Sequence, residues 1–235
     1  MNKKPYLDFC ERVLKCSFSD IDLLITAFTH RSYLNEHRHS VKEHNERLEF
    51  LGDAVLELAV TEFLFLEYQE PEGVLTNWRS SLVRTESLAE SAHKLKIEDL
   101  LRLSKGEKHG TERARTQILA NTFEAIVGAI YLDQGYETAK KFIHQQIISK
   151  FDKILKSGIY IDFKSKLQET AQKKENLTPL YRVLAENGPD HDKNFRAGVF
   201  VGDNMRGIGE GPSKQTAQQK AAEVALQYYK SQESN

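Results

Sequence analysis

His44-Asn45-Glu46-Arg47-Leu48-Glu49-Phe50-Leu51-Gly52-Asp53-Ala54-Val55-Leu56 is the stretch on which the fold turns. On a helix advancing about 100° per residue, Glu46, Glu49 and Asp53 stand at i, i+3 and i+7 and share one narrow arc. Leu48, Leu51 and Val55 form a separate apolar arc that can face a core. Three carboxylates on one arc repel each other unless a cation or protons neutralise them. Oxygen-only ligands favour a hard ion such as Mg²⁺. The competing reading is a solvated acidic face, which normally carries Lys or Arg at i+4. Here the i+4 partners of Glu46, Glu49 and Asp53 are Phe50, Asp53 and Glu57, and only Lys42, one turn earlier, offers basic relief.

Outward from this segment the chain reads as helix after helix. Residues 6–14 have helical apolar spacing. Residues 20–28 place Ile21, Leu24, Ile25 and Phe28 at i, i+3, i+4 and i+7, with Ser19 or Asp20 as N-cap. The acidic helix continues through Ala59, Val60, Phe63 and Leu64 and stops before Pro71. One or two helices are expected over 75–95, another over 111–131 and a last long one over 137–155. No alternating strand precedes Gly158. The expectation is a mainly α domain over residues 1–157, then a short linker, 158–161.

Over residues 162–231 the pattern changes. Residues 163–173 are helical. Residues 180–186 are extended, with Pro179 before them and the turn signal Gly188-Pro189 after them. Phe195, Ala197, Val199 and Val201 alternate with Arg196, Gly198 and Phe200, a strand period. A turn at Gly202-Asp203-Asn204 leads into a third strand over 205–210. Ser213 caps a final helix with Ala217, Ala221, Val224, Ala225 and Tyr228 on its apolar face. The second domain is therefore α+β in the order α-β-β-β-α.

Ile118-Leu119-Ala120-Asn121-Thr122-Phe123-Glu124-Ala125-Ile126-Val127-Gly128-Ala129-Ile130-Tyr131-Leu132-Asp133 is a second informative helix. Asn121 and Glu124 share a face, and Glu124 is otherwise set among apolar residues. A buried, unpaired carboxylate is costly or titrates upward, and a metal ion removes that difficulty. The alternative is a Glu at the domain surface.

With the acidic helix and this one in order, the chain resembles the ribonuclease III family of double-stranded-RNA endonucleases. Its last domain, with Ser213-Lys214-Gln215-Thr216-Ala217-Gln218-Gln219-Lys220-Ala221-Ala222, resembles a double-stranded-RNA-binding domain. The resemblance implies hydrolysis of phosphodiester bonds with Mg²⁺ as cofactor and Mn²⁺ able to substitute, leaving 5′-phosphate and 3′-hydroxyl ends. It implies processing of ribosomal RNA precursors and other structured transcripts. By motif, Glu49, Asn121 and Glu124 are metal ligands, Asp53 and Glu124 are the residues on which turnover depends, and Glu46 and Glu72 are accessory acidic positions. The family usually has Asp where this chain has Asn121. Asn keeps a carbonyl oxygen but removes one negative charge, which predicts a higher Mg²⁺ requirement.

A-form RNA is held through minor-groove 2′-hydroxyls and phosphates. The resemblance assigns those contacts to Gln168 and Glu169, to His191, and to Ser213, Lys214, Gln215 and Gln218. Lys214 sits at a helix N-terminus, itself favourable for phosphate. One site cuts one strand, so cutting both strands implies a homodimer through the helical domain. Phe50 is either an interface aromatic or a core residue.

Other readings carry less. His30 in Thr29-His30-Arg31-Ser32-Tyr33 fits a helix-end role better than a general base. His37, His39 and His44 with Glu43 match no ordinary zinc spacing. Cys10 and Cys16 are too few for a disulfide framework, and Cys10 reads as a buried free thiol. The 235 residues are 40% hydrophobic and 29% charged, with no membrane-length apolar run and no signal peptide, which points to the cytoplasm. A net charge of −1 means that RNA contact depends on local placement of Lys and Arg. A non-cleaving RNA-binding protein and an acidic helical scaffold are the competing functions.

Overall fold

The computed structural model describes residues 2–37, 43–157, 163–189 and 193–233. The chain divides into two compact units, Met1–Tyr160 and Ile161–Asn235. The first contains α1 (Lys4–Phe9), α2 (Ile21–Ala27), α3 (Arg31–Glu36), α4 (Glu46–Glu67), α5 (Glu72–Val83), α6 (Thr85–Lys94), α7 (Glu112–Gln134), α8 (Tyr136–Gln146) and α9 (Phe151–Ser157). Among its described residues there is no strand, only an isolated parallel bridge between Thr29 and Arg102. The second unit runs α10 (Phe163–Glu175), β1 (Leu180–Asn187), β2 (Asn194–Val201), β3 (Asn204–Gly211) and α11 (Lys214–Glu233). A helical domain followed by an α-β-β-β-α domain is the architecture that the spacing predicts. No described helix is long and apolar enough to cross a membrane.

The helical unit is organised around α4 and α7, its most extensively packed pair. Leu48, Val55, Leu56 and Ala59 of α4 are buried with Phe123, Ile126, Val127 and Ile130 of α7 in one core. At the crossing the backbones meet. A Cβ on Gly52 would lie 1.8 Å from the Glu124 carbonyl oxygen, and one on Gly128 would lie 2.3 Å from that of Leu48. Only hydrogen at these two positions permits so close an approach.

The ends of both helices are tied to α2. Asp20 caps α2, accepting from the Asp22 amide at 3.0 Å. Asp133, near the end of α7, accepts from the amides of Ser19 and Asp20 at 2.8 Å each. The Asn45 amide donates to the Thr29 carbonyl at 2.9 Å, which fixes where α4 starts.

Several boundaries differ from the sequence expectation. Residues 6–14 are not one α-helix: α1 passes into a π-helical turn, Cys10–Leu14, closed by Lys15 at φ 53°. Cys10 is a buried free thiol there, as read from the sequence. The region 75–95, expected as one or two helices, is two, broken where Arg84 turns extended at ψ 152°. The helix expected over 137–155 is interrupted after α8 by a 3₁₀ turn, Ile148–Lys150. Two things explain the break. It turns Ile147, Ile148 and Phe151 together into the core. The carbonyl of Gln146, freed from the helix, accepts from Ser91 Oγ at 3.1 Å.

In the second unit the strands form an antiparallel sheet in the order β1-β2-β3, with Tyr181 opposite Val199 and Val199 opposite Gly207. Leu167 and Ala171 of α10, Val199 and Val201 of β2, and Ala221, Ala222 and Ala225 of α11 make its core. Ser213 Oγ accepts from the Thr216 amide at 3.1 Å, the N-cap expected for α11. The linker 158–161 lies outside the described residues.

Candidate functional site

The α4–α7 crossing decides which polar side chains meet. Glu49 and Asp53 flank Gly52 on α4, and Glu124, whose carbonyl touches Gly52, is on α7 one turn after Asn121. Two of these side chains, Glu49 and Glu124, are shifted by their neighbours. Burial first, then the charges of Asp53 and Glu49, push the Glu124 carboxyl up to about 8. Burial and Glu46 raise Glu49, a hydrogen bond from Asn121 draws it back down, and Asp53 raises it further. The cluster predicted from two separate helices is thus one electrostatic unit.

The donors fit a hard divalent ion in kind: three carboxylates, the Asn121 carbonyl oxygen, and a raised Glu124 whose charge a cation would offset. They do not close into a cage. Among the described residues no three His, Cys, Asp or Glu side chains stand as a ready metal-ligand group. Asn121 Oδ1 accepts from Gln117 Nε2 at 2.7 Å.

The outer acidic positions separate. Glu46 belongs to the same arc and acts on Glu49. It also faces Arg31 Nη1 at 3.5 Å and His44 Nδ1 at 3.9 Å. Arg79 of α5 pairs with Glu57, the next carboxylate along, at 3.0 Å. Basic relief at the two ends of the arc therefore comes from Arg31 and Arg79 on neighbouring helices; Lys42 lies outside the described residues. Glu72 is elsewhere, at the start of α5, accepting from Thr76 Oγ1 at 3.3 Å beside Thr61 and Phe65.

His30 caps α3, accepting on Nδ1 from the Ser32 amide at 3.2 Å, and burial lowers its pKa. This is the helix-end role. His37 Nδ1 lies 3.0 Å from the Tyr33 carbonyl, and His44 Nδ1 accepts from the Glu46 amide, so these rings serve local structure. His39 is outside the described residues. Phe50 is 82% exposed, which removes it from the core. With Leu58 and Phe65 it makes an exposed apolar row on α4, next to the carboxylate arc.

In the second unit the predicted contacts fall in the middle of α10 and at the N-terminal end of α11. Gln168 and Gln215 line a polar cleft of about 260 Å³ with Lys164, Ser165, Tyr181 and Gln219. Glu169 is exposed on α10, and Ser213 and Lys214 are exposed at the start of α11. Gln218 Oε1 accepts from Lys164 Nζ at 2.9 Å, and that ammonium lies 4.8 Å from the Tyr181 ring centre. Lys214 Nζ is 2.9 Å from Glu186. His191 is outside the described residues. Lys164, Gln117 and the paired Gly52 and Gly128 were not singled out from the sequence. Gln117 had a usable signal, its i, i+4 spacing from Asn121.

Comparison with known proteins finds relatives for both units. Residues 20–151 match the family described as Ribonuclease-III-like, and residues 163–229 match the Double-stranded RNA binding motif. Ribonuclease 3 of Enterococcus faecalis is 46% identical over 213 residues, 89% of this chain and 91% of that protein. Ribonuclease 3 of Anoxybacillus flavithermus is 44% identical over 227 residues, 95% of each. A solved nuclease domain of ribonuclease III from Campylobacter jejuni aligns with TM-score 0.53 at 38% identity, covering 60% of this chain and 97% of that one.

Proposed function

The chain belongs to the ribonuclease III family and is a double-stranded-RNA endoribonuclease, and we propose that it hydrolyses phosphodiester bonds with Mg²⁺, or Mn²⁺ in its place. The reading assigns metal binding to Glu49, Asn121 and Glu124 and turnover to Asp53 and Glu124, with Glu46 and Glu72 accessory. The observation that carries it is the glycine crossing of α4 and α7, which makes the carboxylates one unit and lifts Glu124 to about 8.

When bound, Mg²⁺ supplies charge neutralisation at the scissile phosphate and a more acidic water. The chain's residues prepare for this. Glu124 holds a proton on its carboxyl at neutral pH while no cation is near, so the core of α7 does not bear an uncompensated charge. Gly52 and Gly128 hold Glu49 and Asp53 against Asn121 and Glu124. The products are 5′-phosphate and 3′-hydroxyl ends, and the substrates are ribosomal RNA precursors and other structured transcripts in the cytoplasm.

The helical unit, residues 1–157, does the cutting, and residues 162–231 hold the duplex through Gln168, Glu169, His191, Ser213, Lys214, Gln215 and Gln218. Two copies pair through α4, whose row of Phe50, Leu58 and Phe65 adjoins the carboxylate arc. The Campylobacter jejuni nuclease domain is itself described as having a region involved in dimer formation.

The test is incubation of a long RNA duplex with the protein in Mg²⁺ and in EDTA, beside Glu124→Gln. Mg²⁺-dependent cutting that Glu124→Gln loses supports the reading. Binding without cutting at any Mg²⁺ concentration would replace it with a regulatory, RNA-binding role, for which Asn121 is the motivating departure.

A further inference from the structure

Asn121 is held from outside the carboxylate cluster. Gln117, one turn earlier on α7 and exposed, donates from Nε2 to Asn121 Oδ1 at 2.7 Å. A side-chain amide carries its acceptor and its donors on opposite prongs. An oxygen engaged with Gln117 therefore turns Nδ2 the other way. The donor prong is left for Glu49, whose carboxyl Asn121 draws down.

An amide nitrogen has no lone pair to offer a cation, and a hard divalent ion takes oxygen. In this arrangement the centre presents three carboxylates and an N–H donor. Asn121 does for Glu49 part of what a cation would do, at neutral charge. To act as a ligand, the amide must turn end for end and give up its bond to Gln117. An aspartate at the same position would meet no such conflict, because one oxygen could accept from Gln117 while the other faced the ion.

We propose that Gln117 is a positioning residue of the metal centre: it latches Asn121 with its oxygen turned away from the carboxylates, so that a divalent ion must break the Gln117–Asn121 bond to gain its fourth oxygen. This rests on the assignment of Glu49, Asn121 and Glu124 as the metal site. The consequence is a centre that stays composed without metal and fills only at higher Mg²⁺.

The test measures Mg²⁺ binding to the full chain by calorimetry, without RNA, in four proteins: wild type, Gln117→Met, Asn121→Asp, and the double variant. Gln117→Met changes no charge and keeps the side-chain length. In the wild-type background it should tighten Mg²⁺ binding about fivefold, the worth of one ordinary hydrogen bond. Asn121→Asp alone should tighten it about tenfold or more, within the range found when a ligand or its support is altered. In the Asn121→Asp background, Gln117→Met should not tighten binding further, and should loosen it as the introduced carboxylate loses its orienting donor.

A second readout is the side-chain amide signals of Asn121 and Gln117 in ¹⁵N-labelled protein, assigned by their loss in the variants. Both pairs should move together as Mg²⁺ is added. Equal affinity of wild type and Gln117→Met would mean that Gln117 turns with Asn121 and restrains nothing, and would overturn the proposal. So would tightening of the same size in both backgrounds, or a Gln117 signal indifferent to Mg²⁺. RNA cleavage is assayed separately. A protein that shows the background-dependent pattern but does not cut RNA sinks the nuclease reading and leaves the latch. One that cuts RNA without the pattern sinks the latch alone.

Discussion

Among the described carboxylates, Glu124 is pushed furthest from its ordinary titration, and the direction of that shift makes a stability prediction. Its unfolded value is about 4.3, and in the fold, burial with Asp53 and Glu49 raises it to about 8. The folded state therefore keeps a proton that the unfolded chain has lost. The stability linked to that proton is complete below about pH 4.3, declines between the two values, and is lost above the folded one. Glu124→Gln has no charge to bury. In EDTA its thermal midpoint should match the wild type near pH 5 and exceed it at pH 8, as followed by circular dichroism. A gap that does not widen with pH would mean that Glu124 is solvated in the metal-free protein. The sequence showed that Glu124 was an anomaly in an apolar helix. It could not show how Asn121 was turned, because an amide reads the same in sequence whichever prong faces the metal. Phe50 is similar: its spacing allowed either core or surface, and only the packing of Leu48 and Val55 inward leaves it 82% exposed.

The site depends on helix pairing more than on any loop, so its geometry is most vulnerable at the crossing. A methyl group on Gly52 would stand 1.8 Å from the Glu124 carbonyl oxygen, which is backbone and has nowhere to go. Gly52→Ala should push α4 off α7, cost about 3 kcal/mol or more as overpacking, and weaken Mg²⁺ binding by parting Glu49 and Asp53 from Asn121 and Glu124. Urea denaturation checks the first effect and calorimetry the second. A loss below about 1 kcal/mol would show that the helices separate freely. Helical periodicity made α4 and α7 legible because apolar residues recur on one face of each. The break between α8 and α9 was hidden for a physical reason. Ile147, Ile148 and Phe151 continue an apolar pattern, and what stops the helix is tertiary: Ser91, fifty-five positions away, takes the role of partner to the Gln146 carbonyl. β2 was legible by its alternation, β1 by the turn signals around it, and α11 by Ser213, whose cap geometry needs only local sequence.

For the whole molecule, a net charge of −1 makes RNA binding a matter of a few well-placed cations. Lys214 is the one proposed above, and it is paired with Glu186 at 2.9 Å, an exposed bridge of small worth that phosphate can replace. Binding of duplex RNA should fall steeply between about 50 and 200 mM salt. Lys214→Ala should weaken it equally across sequences and reduce the slope of log affinity against log salt by about 1. An unchanged slope would place Lys214 outside the interface. Assembly is argued on the same footing. The exposed row of Phe50, Leu58 and Phe65 adjoins the carboxylates on the helix that carries them. Pairing two chains through it would cover the row and set two centres across one duplex. Phe50→Glu places a charge within such a contact, where desolvation without a partner is costly. In analytical ultracentrifugation the wild type should sediment as a dimer and Phe50→Glu largely as a monomer, with unchanged helical circular dichroism. Cutting of both strands at neighbouring positions should be lost with the dimer, because a single centre reaches one strand. A variant that remains dimeric would move the interface away from Phe50, and a monomeric wild type that still cuts both strands close together would remove the reason for pairing altogether.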